Sequence, residues 1–157
     1  MSFFAGRNVN DIADNPNELP NNTYRFKVTG AELRPTHDGS KQGITFRYQI
    51  IEGSYSTFFP LTDWVQVPDE NTPDDKIDRM LSYLKMRLLA FGYSPDDIQE
   101  FGPEMVKDCV TREFFGTTSA RKDPRSDQTN IRVTKFDPIH NGDDLDGLGE
   151  FSDSPSI

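Results

Sequence analysis

Arg25 and Lys27 alternate along the chain with Tyr24, Phe26 and Val28, and Arg47 alternates with Phe46 and Tyr48. In extended chain, successive side chains point to opposite faces, so each run carries cations on one face and apolar groups on the other. Arg112, Arg132 and Lys135 recur in two later runs of the same kind, with Arg121, Lys122 and Arg125 in the polar segment between them. Aromatic rings interleave with these charges. Phe58 and Trp64 share a parity opposed to Tyr55, Phe59 and Leu61, so one of these two sets faces the core and the other is available for stacking. Phe114 shares a face with Arg112, and Phe136 with Arg132. Guanidinium and ammonium groups neutralise phosphates, and an exposed ring stacked on a base contributes roughly 1–3 kcal/mol. These residue types are therefore suited to holding a polyanion that also carries flat rings. With 12 Phe in 157 residues, most of the rings must be core. Trp64 is the best platform, because it interrupts the Leu61–Val65 core parity.

Other chemistry is poorly provided for. The chain has 2 His, His37 and His140, and 1 Cys, Cys109. One Cys excludes a disulfide framework and a Cys-clustered zinc site within the chain. No HExxH, GxSxG, GxxxxGK[ST] or GxGxxG motif occurs. Paired carboxylates fall at helix starts or in the C-terminal tail. The strand acids Glu32, Glu52, Asp63 and Glu113 have no spacing that would gather them around a metal. A calcium loop built on Gly147, Asp144 and Asp146 fails too, with Gly142 at its first ligand position and Asp153 in place of the bidentate Glu. We expect no catalytic residue, no metal and no cofactor.

The length is that of one domain, and no stretch approaches the ~20 apolar residues of a membrane span. Residues 1–20 read as a flexible arm. Strand patterns run from Thr23 through Thr29, from Ile44 to Ile50, and from about Tyr55 to Val67, the last interrupted by Pro60. Thr36-His37-Asp38-Gly39-Ser40 is turn chemistry between the first two. Thr72-Pro73-Asp74-Asp75 predicts a helix start with Thr72 at N-cap and Pro73 at N1. Ile77, Met80, Leu81, Leu84, Leu88 and Phe91 supply its apolar stripe, and Gly92 ends it. Ser94-Pro95-Asp96-Asp97 repeats the signal for a short second helix. Strand character returns over Val106–Thr118 and Thr129–Phe136, around a basic loop from Ala120 to Asp127. Three strands, a helical insertion between strands 3 and 4, and two further strands make a mainly β chain. That is the order of a five-stranded, OB-fold-like Greek-key barrel over residues 21–137, followed by a disordered acidic tail over 138–157.

Net charge is −9, which by itself disfavours a polyanionic partner, but the charge is segregated. Residues 24–48 hold five cations against two acids, and residues 107–135 hold seven against four, so each strand region is +3. The helical region 69–100 is −4, and residues 137–157 are −6 with no Lys or Arg. Basic strands beside acidic helices and tail are what a sheet tracking a polyanion would have. Within the tail, Asp143, Asp144, Asp146, Phe151 and Ile157 combine acids with apolar anchors. They suit either recruitment of a protein partner or competition with nucleic acid for the chain's own basic face.

The segment NNTYRFKVTGAELRPT, then GITFRYQIIEGSYS, the helix ending LLAFGYSPDD and the run DCVTREFFG resemble phage-encoded OB-fold single-stranded-DNA-binding proteins. The resemblance covers about residues 20–137, and the acidic tail is similar in kind to theirs. It departs at the C-terminus, where Phe151 is internal and the chain ends Ser154-Pro155-Ser156-Ile157. The resemblance implies a non-enzymatic protein of phage DNA replication and recombination, working in the cytoplasm of an infected bacterium. Arg25, Lys27, Arg47, Arg112, Arg132 and Lys135 would meet phosphates, Phe58, Trp64 and Phe136 would stack bases, and Arg121, Lys122 and Arg125 would close over the strand. Replication or recombination proteins would bind the tail. The rival expectation is a protein-interaction module with a DNA-mimicking acidic tail; an acid-based metal nuclease is a distant third.

Overall fold

The computed structural model describes residues 2–12, 19–122, 124–125 and 129–139. Five antiparallel strands, β1 (Thr23–Pro35), β2 (Gln42–Ile50), β3 (Leu61–Val67), β4 (Glu113–Lys122) and β5 (Thr129–Asp137), form one sheet in the order β3-β2-β1-β4-β5. Between β3 and β4 lie helix α1 (Asp74–Ala90), a short helix α2 (Pro95–Gln99) and a 3-10 segment, Pro103–Cys109. The expected succession of three strands, helices and two strands is present. The barrel is not closed: β3 and β5 approach each other across the curled sheet but are not hydrogen-bonded neighbours.

The alternation read from the sequence produces the core. Phe26, Val28, Ile44, Phe46, Tyr48, Ile50 and Phe114 all turn inward and are almost completely buried. Their rings interlock: Tyr48 meets Phe114 edge-on at 4.9 Å between centroids, and Phe114 stacks on Phe26 at 5.5 Å and on Phe136 at 5.4 Å. Gly116 is required by this packing, because a Cβ there would lie 2.9 Å from both the Phe26 ring and Val133.

Two bulges reset the alternation. Val28 pairs with Tyr48 but Gly30 with Arg47, so Thr29 is an extra residue in β1; likewise Thr117 pairs with Lys135 but Thr118 with Val133, so Thr134 is extra in β5. A bulge moves every later residue to the other face of the sheet. Phe136 therefore joins Ile131 and Val133 on the inner face, opposite Arg132, rather than sharing a face with it.

Local punctuation acts partly as expected. Asp38 closes the β1–β2 turn by accepting from the Ser40 amide and from the Thr36 and Ser40 hydroxyls. These bonds favour the carboxylate and hold its pKa down at about 2. Ser94 caps α2, its Oγ accepting from the Asp97 amide at 3.1 Å with Pro95 at N1. For α1 the N-cap is Pro73, and Thr72 instead closes the preceding loop through Asp69. Strand character over 106–112 gives way to the 3-10 segment, which buries Val106 and Cys109 three residues apart. Pro60 cuts the third run short, so β3 starts only at Leu61. No helix is long and apolar enough to cross a membrane among the described residues.

Candidate nucleic-acid interface

Cross-strand partners in an antiparallel sheet put their side chains on the same face, so the registers define the outer surface strand by strand. Trp64 on β3 opposes Thr45 on β2, and Thr45 opposes Glu32 on β1. Arg47 lies between Thr62 and Gly30, and Lys27 between Gln49 and Glu113. Arg25 opposes Phe115, which opposes Asp137; Lys135 opposes Thr117, Arg132 opposes Ser119 and Arg121 opposes Asn130. Arg25, Lys27, Arg47, Trp64, Arg121, Arg132 and Lys135 thus share one face spanning all five strands, opposite the core.

The charges on that face are unequally answered. Arg25 donates through Nε and Nη2 to Oε1 of Glu113 at 2.9 and 2.7 Å, and Arg34 is tied to Glu32. Lys135 is 3.9 Å from Asp137, a loose pair. Lys27, Arg47 and Arg132 have no ion pair among the described residues. Where β1 bends at Thr29, Arg34, Arg47, Lys107, Glu32 and Thr45 line an open recess of about 620 Å³. The Glu32 carboxyl is held below its usual range by its hydrogen bond from Arg34, with Lys107 and Arg47 adding to the effect. Three cations around one carboxylate leave the recess electropositive.

Trp64, across the ladder from Thr45 of this recess, is 42% exposed. Its indole lies over Gly43, its diagonal neighbour on β2; a Cβ on Gly43 would fall 2.4–2.6 Å from three indole atoms. Gly43 is buried beneath the ring, while the indole keeps much of its surface open.

Other predicted site residues lie elsewhere. Phe58, at 8% exposure, and Phe136, at 7%, belong to the core, which leaves neither ring available to a stacked base. For Phe58 the parity argument fails at Pro60, since 55–60 is outside β3; for Phe136 it fails at the Thr134 bulge. Arg112 precedes β4 and turns away from the outer face. Its guanidinium lies 3.9 Å from the centre of the Tyr93 ring and donates to Asp108 at 3.1 Å, while Phe114 is wholly buried. Tyr93 also donates to Asp108, at 2.8 Å; burial and that bond raise its hydroxyl pKa, and burial raises that of the neighbouring Cys109 thiol. Arg121 and Lys122 are the last residues of β4 rather than loop, and Arg125 is exposed at the hairpin tip. Asp143, Asp144, Asp146, Phe151 and Ile157 lie outside the described residues.

Sequence reasoning did not select two further rings as site residues. Phe59 is 65% exposed beside the core residue Phe58, and Phe115 is half-buried on the outer face between Arg25 and Asp137. It also missed the cluster at the unclosed seam of the sheet. Asp63 on β3 accepts from Arg87 of α1, at 2.6 Å from Nε and 3.1 Å from Nη2, and from the hydroxyl of fully buried Tyr48 at 2.5 Å. The same guanidinium lies 4.6 Å from the centre of the Phe136 ring on β5. Burial, reinforced by the Asp63 carboxylate, drives the Tyr48 pKa well up and keeps its hydroxyl protonated. A carboxylate at the core parity of β3, between Leu61 and Val65, was the available signal. Among the described residues no three His, Cys, Asp or Glu side chains are grouped to hold a metal. No protein-family model matches the chain, and no curated protein matches it.

Proposed function

We propose that the protein binds single-stranded DNA with little sequence preference along the outer face of its sheet, as a non-enzymatic component of phage DNA replication and recombination. One observation carries the reading: the strand registers gather Lys27, Arg47, Arg132 and Lys135 on one face with the open ring of Trp64, although the protein as a whole is acidic. Lys27, Arg47, Arg132 and Lys135 meet phosphates, with Arg25 contributing whatever charge Glu113 leaves. Trp64 stacks a base. Arg121, Lys122 and Arg125 flank the strand at the end of the β4–β5 hairpin. Such a surface recognises the backbone and any base face, so sequence preference is weak. The order β3-β2-β1-β4-β5 also suits an OB-type barrel left open between β3 and β5. The tail, with Asp143, Asp144, Asp146, Phe151 and Ile157, recruits replication or recombination proteins or competes for the basic face.

A gel shift with a labelled single-stranded oligonucleotide at low salt tests this reading. The expected result is a retarded complex, tighter after deletion of residues 138–157 because most of the tail's negative charge is gone. Absence of a complex at low salt would contradict DNA binding and favour the protein-interaction reading.

A further inference from the structure

One face of α1 carries Lys76, Arg79, Tyr83 and Arg87 at spacings of three and four. The region 69–100 is acidic as a whole, but its acids cluster in the loop before α1, in the first turns of α1 and around α2. The cationic stripe faces β3. Together with Trp64, Gln66 and Asp75 it lines an open recess of about 620 Å³, inside the ~300–1,000 Å³ range of small-ligand sites. Trp64 thus belongs to two surfaces at once, the outer sheet face through Gly43 and Thr45, and this recess through α1.

The recess has the same ingredients as the sheet face. Tyr83 is 48% exposed, and Arg79 lies beside it, Nη2 at 3.4 Å from the Tyr83 hydroxyl and Cζ 6.0 Å from the ring centre. Arg87 is committed to Asp63, but Lys76 and Arg79 have no ion pair among the described residues. Asp75 is the only carboxylate among the lining residues. Two cations without a carboxylate partner among the described residues, beside two exposed rings, are what a nucleotide needs, a phosphate site next to a stacking surface.

We infer that this recess is a second nucleotide subsite. A strand bound on the outer face turns at Trp64 over the β3 edge onto α1, where a base stacks on Tyr83 and the adjoining phosphate meets Lys76 and Arg79. The inference rests on the single-strand reading above and extends its path.

The test is a titration of the full chain with oligothymidylates of about 4 to 16 nucleotides, followed by quenching of Trp64 at several salt concentrations. Against the wild type, the double variant Arg79→Ala/Tyr83→Ala should bind the long oligonucleotides about tenfold more weakly. It should bind the short ones equally well, with a log–log salt slope shallower by about 0.7 on the long ones. Equal affinity and slope at every length would overturn the subsite and leave the sheet face standing. No quenching of the wild type at any length would overturn both. Should the double variant lower the urea midpoint, Lys76→Glu repeats the comparison at an exposed helix position, with the same expected and contrary outcomes.

Discussion

Arg87 and Arg47 carry the same charge and each has an aromatic neighbour, yet they lie on opposite sides of the sheet and face opposite circumstances. Arg87 is enclosed: Asp63 takes two of its N–H groups, the Tyr83 carbonyl takes a third at 2.8 Å, and Phe136 lies beneath it. Its side chain is 11% exposed and that of Asp63 15%. Arg47 is exposed, has no ion pair among the described residues, and lies diagonally across the ladder from Trp64. Every charge in the first cluster is answered within the fold, and the cluster closes a seam that the β-ladder leaves open. The second has no bonded carboxylate among the described residues, and under the proposed reading a phosphate takes that place. Residue type does not distinguish Arg87 from Arg47; the carboxylate bonded to the first and not to the second does.

The largest effect is expected at the seam. Asp63→Ala leaves a buried guanidinium and a buried phenol without their acceptor and should cost about 3 kcal/mol, read as a lower urea midpoint. If that variant were as stable as the wild type, the seam would not be held by this cluster. Next comes Gly43→Ala, whose methyl would collide with the Trp64 indole. It should weaken oligonucleotide binding about as much as Trp64→Ala does, roughly 5- to 150-fold for one lost stack of about 1–3 kcal/mol. Unchanged affinity in both variants would remove Trp64 from the interface.

A paired experiment sharpens the contrast. Arg47→Ala should leave stability within about 0.5 kcal/mol and make the salt slope of DNA binding shallower by about 0.7. Arg112→Ala should do the reverse, costing about 1 kcal/mol through the lost contacts with Tyr93 and Asp108 and leaving the slope unchanged. If both variants change the slope alike, the division between enclosed and open arginines fails. The smallest effect is at the β1–β2 turn. The Asp38 pKa is lowered from 3.8 to about 2, so its contribution to stability is complete above about pH 4 and is lost as pH falls towards 2. Asp38→Asn should flatten that part of an acid-denaturation profile, with DNA binding at neutral pH unaffected.

Much of the fold was legible because local rules and tertiary structure agree over most of the chain. The turn at 36–40, the Ser94 cap, the amphipathic α1 and the alternation of β1 and β2 each follow from side-chain chemistry at fixed spacing. Where legibility failed, one residue changed the phase. Period-two reading cannot see Thr134 as an insertion, so it sends Phe136 outward; it carries parity through Pro60, so it pairs Phe58 with Trp64. The sequence pattern makes Arg112 a strand cation, because nothing in its neighbourhood announces that Tyr93, nineteen residues earlier, will lie beneath it. Asp63 and Arg87 are distant in sequence, and only the curl of the sheet brings Tyr48, Asp63, Arg87 and Phe136 together.

The central claim is that the cations of the outer face are available to phosphates and that Trp64 takes part in binding. Titrating the 157-residue chain with an oligothymidylate while following its single tryptophan, at a series of salt concentrations, tests both parts together. Strong quenching is expected, with affinity falling on a log–log slope of about −3, four phosphates at roughly −0.7 each. An affinity indifferent to salt, or binding that leaves the fluorescence unchanged, would contradict it.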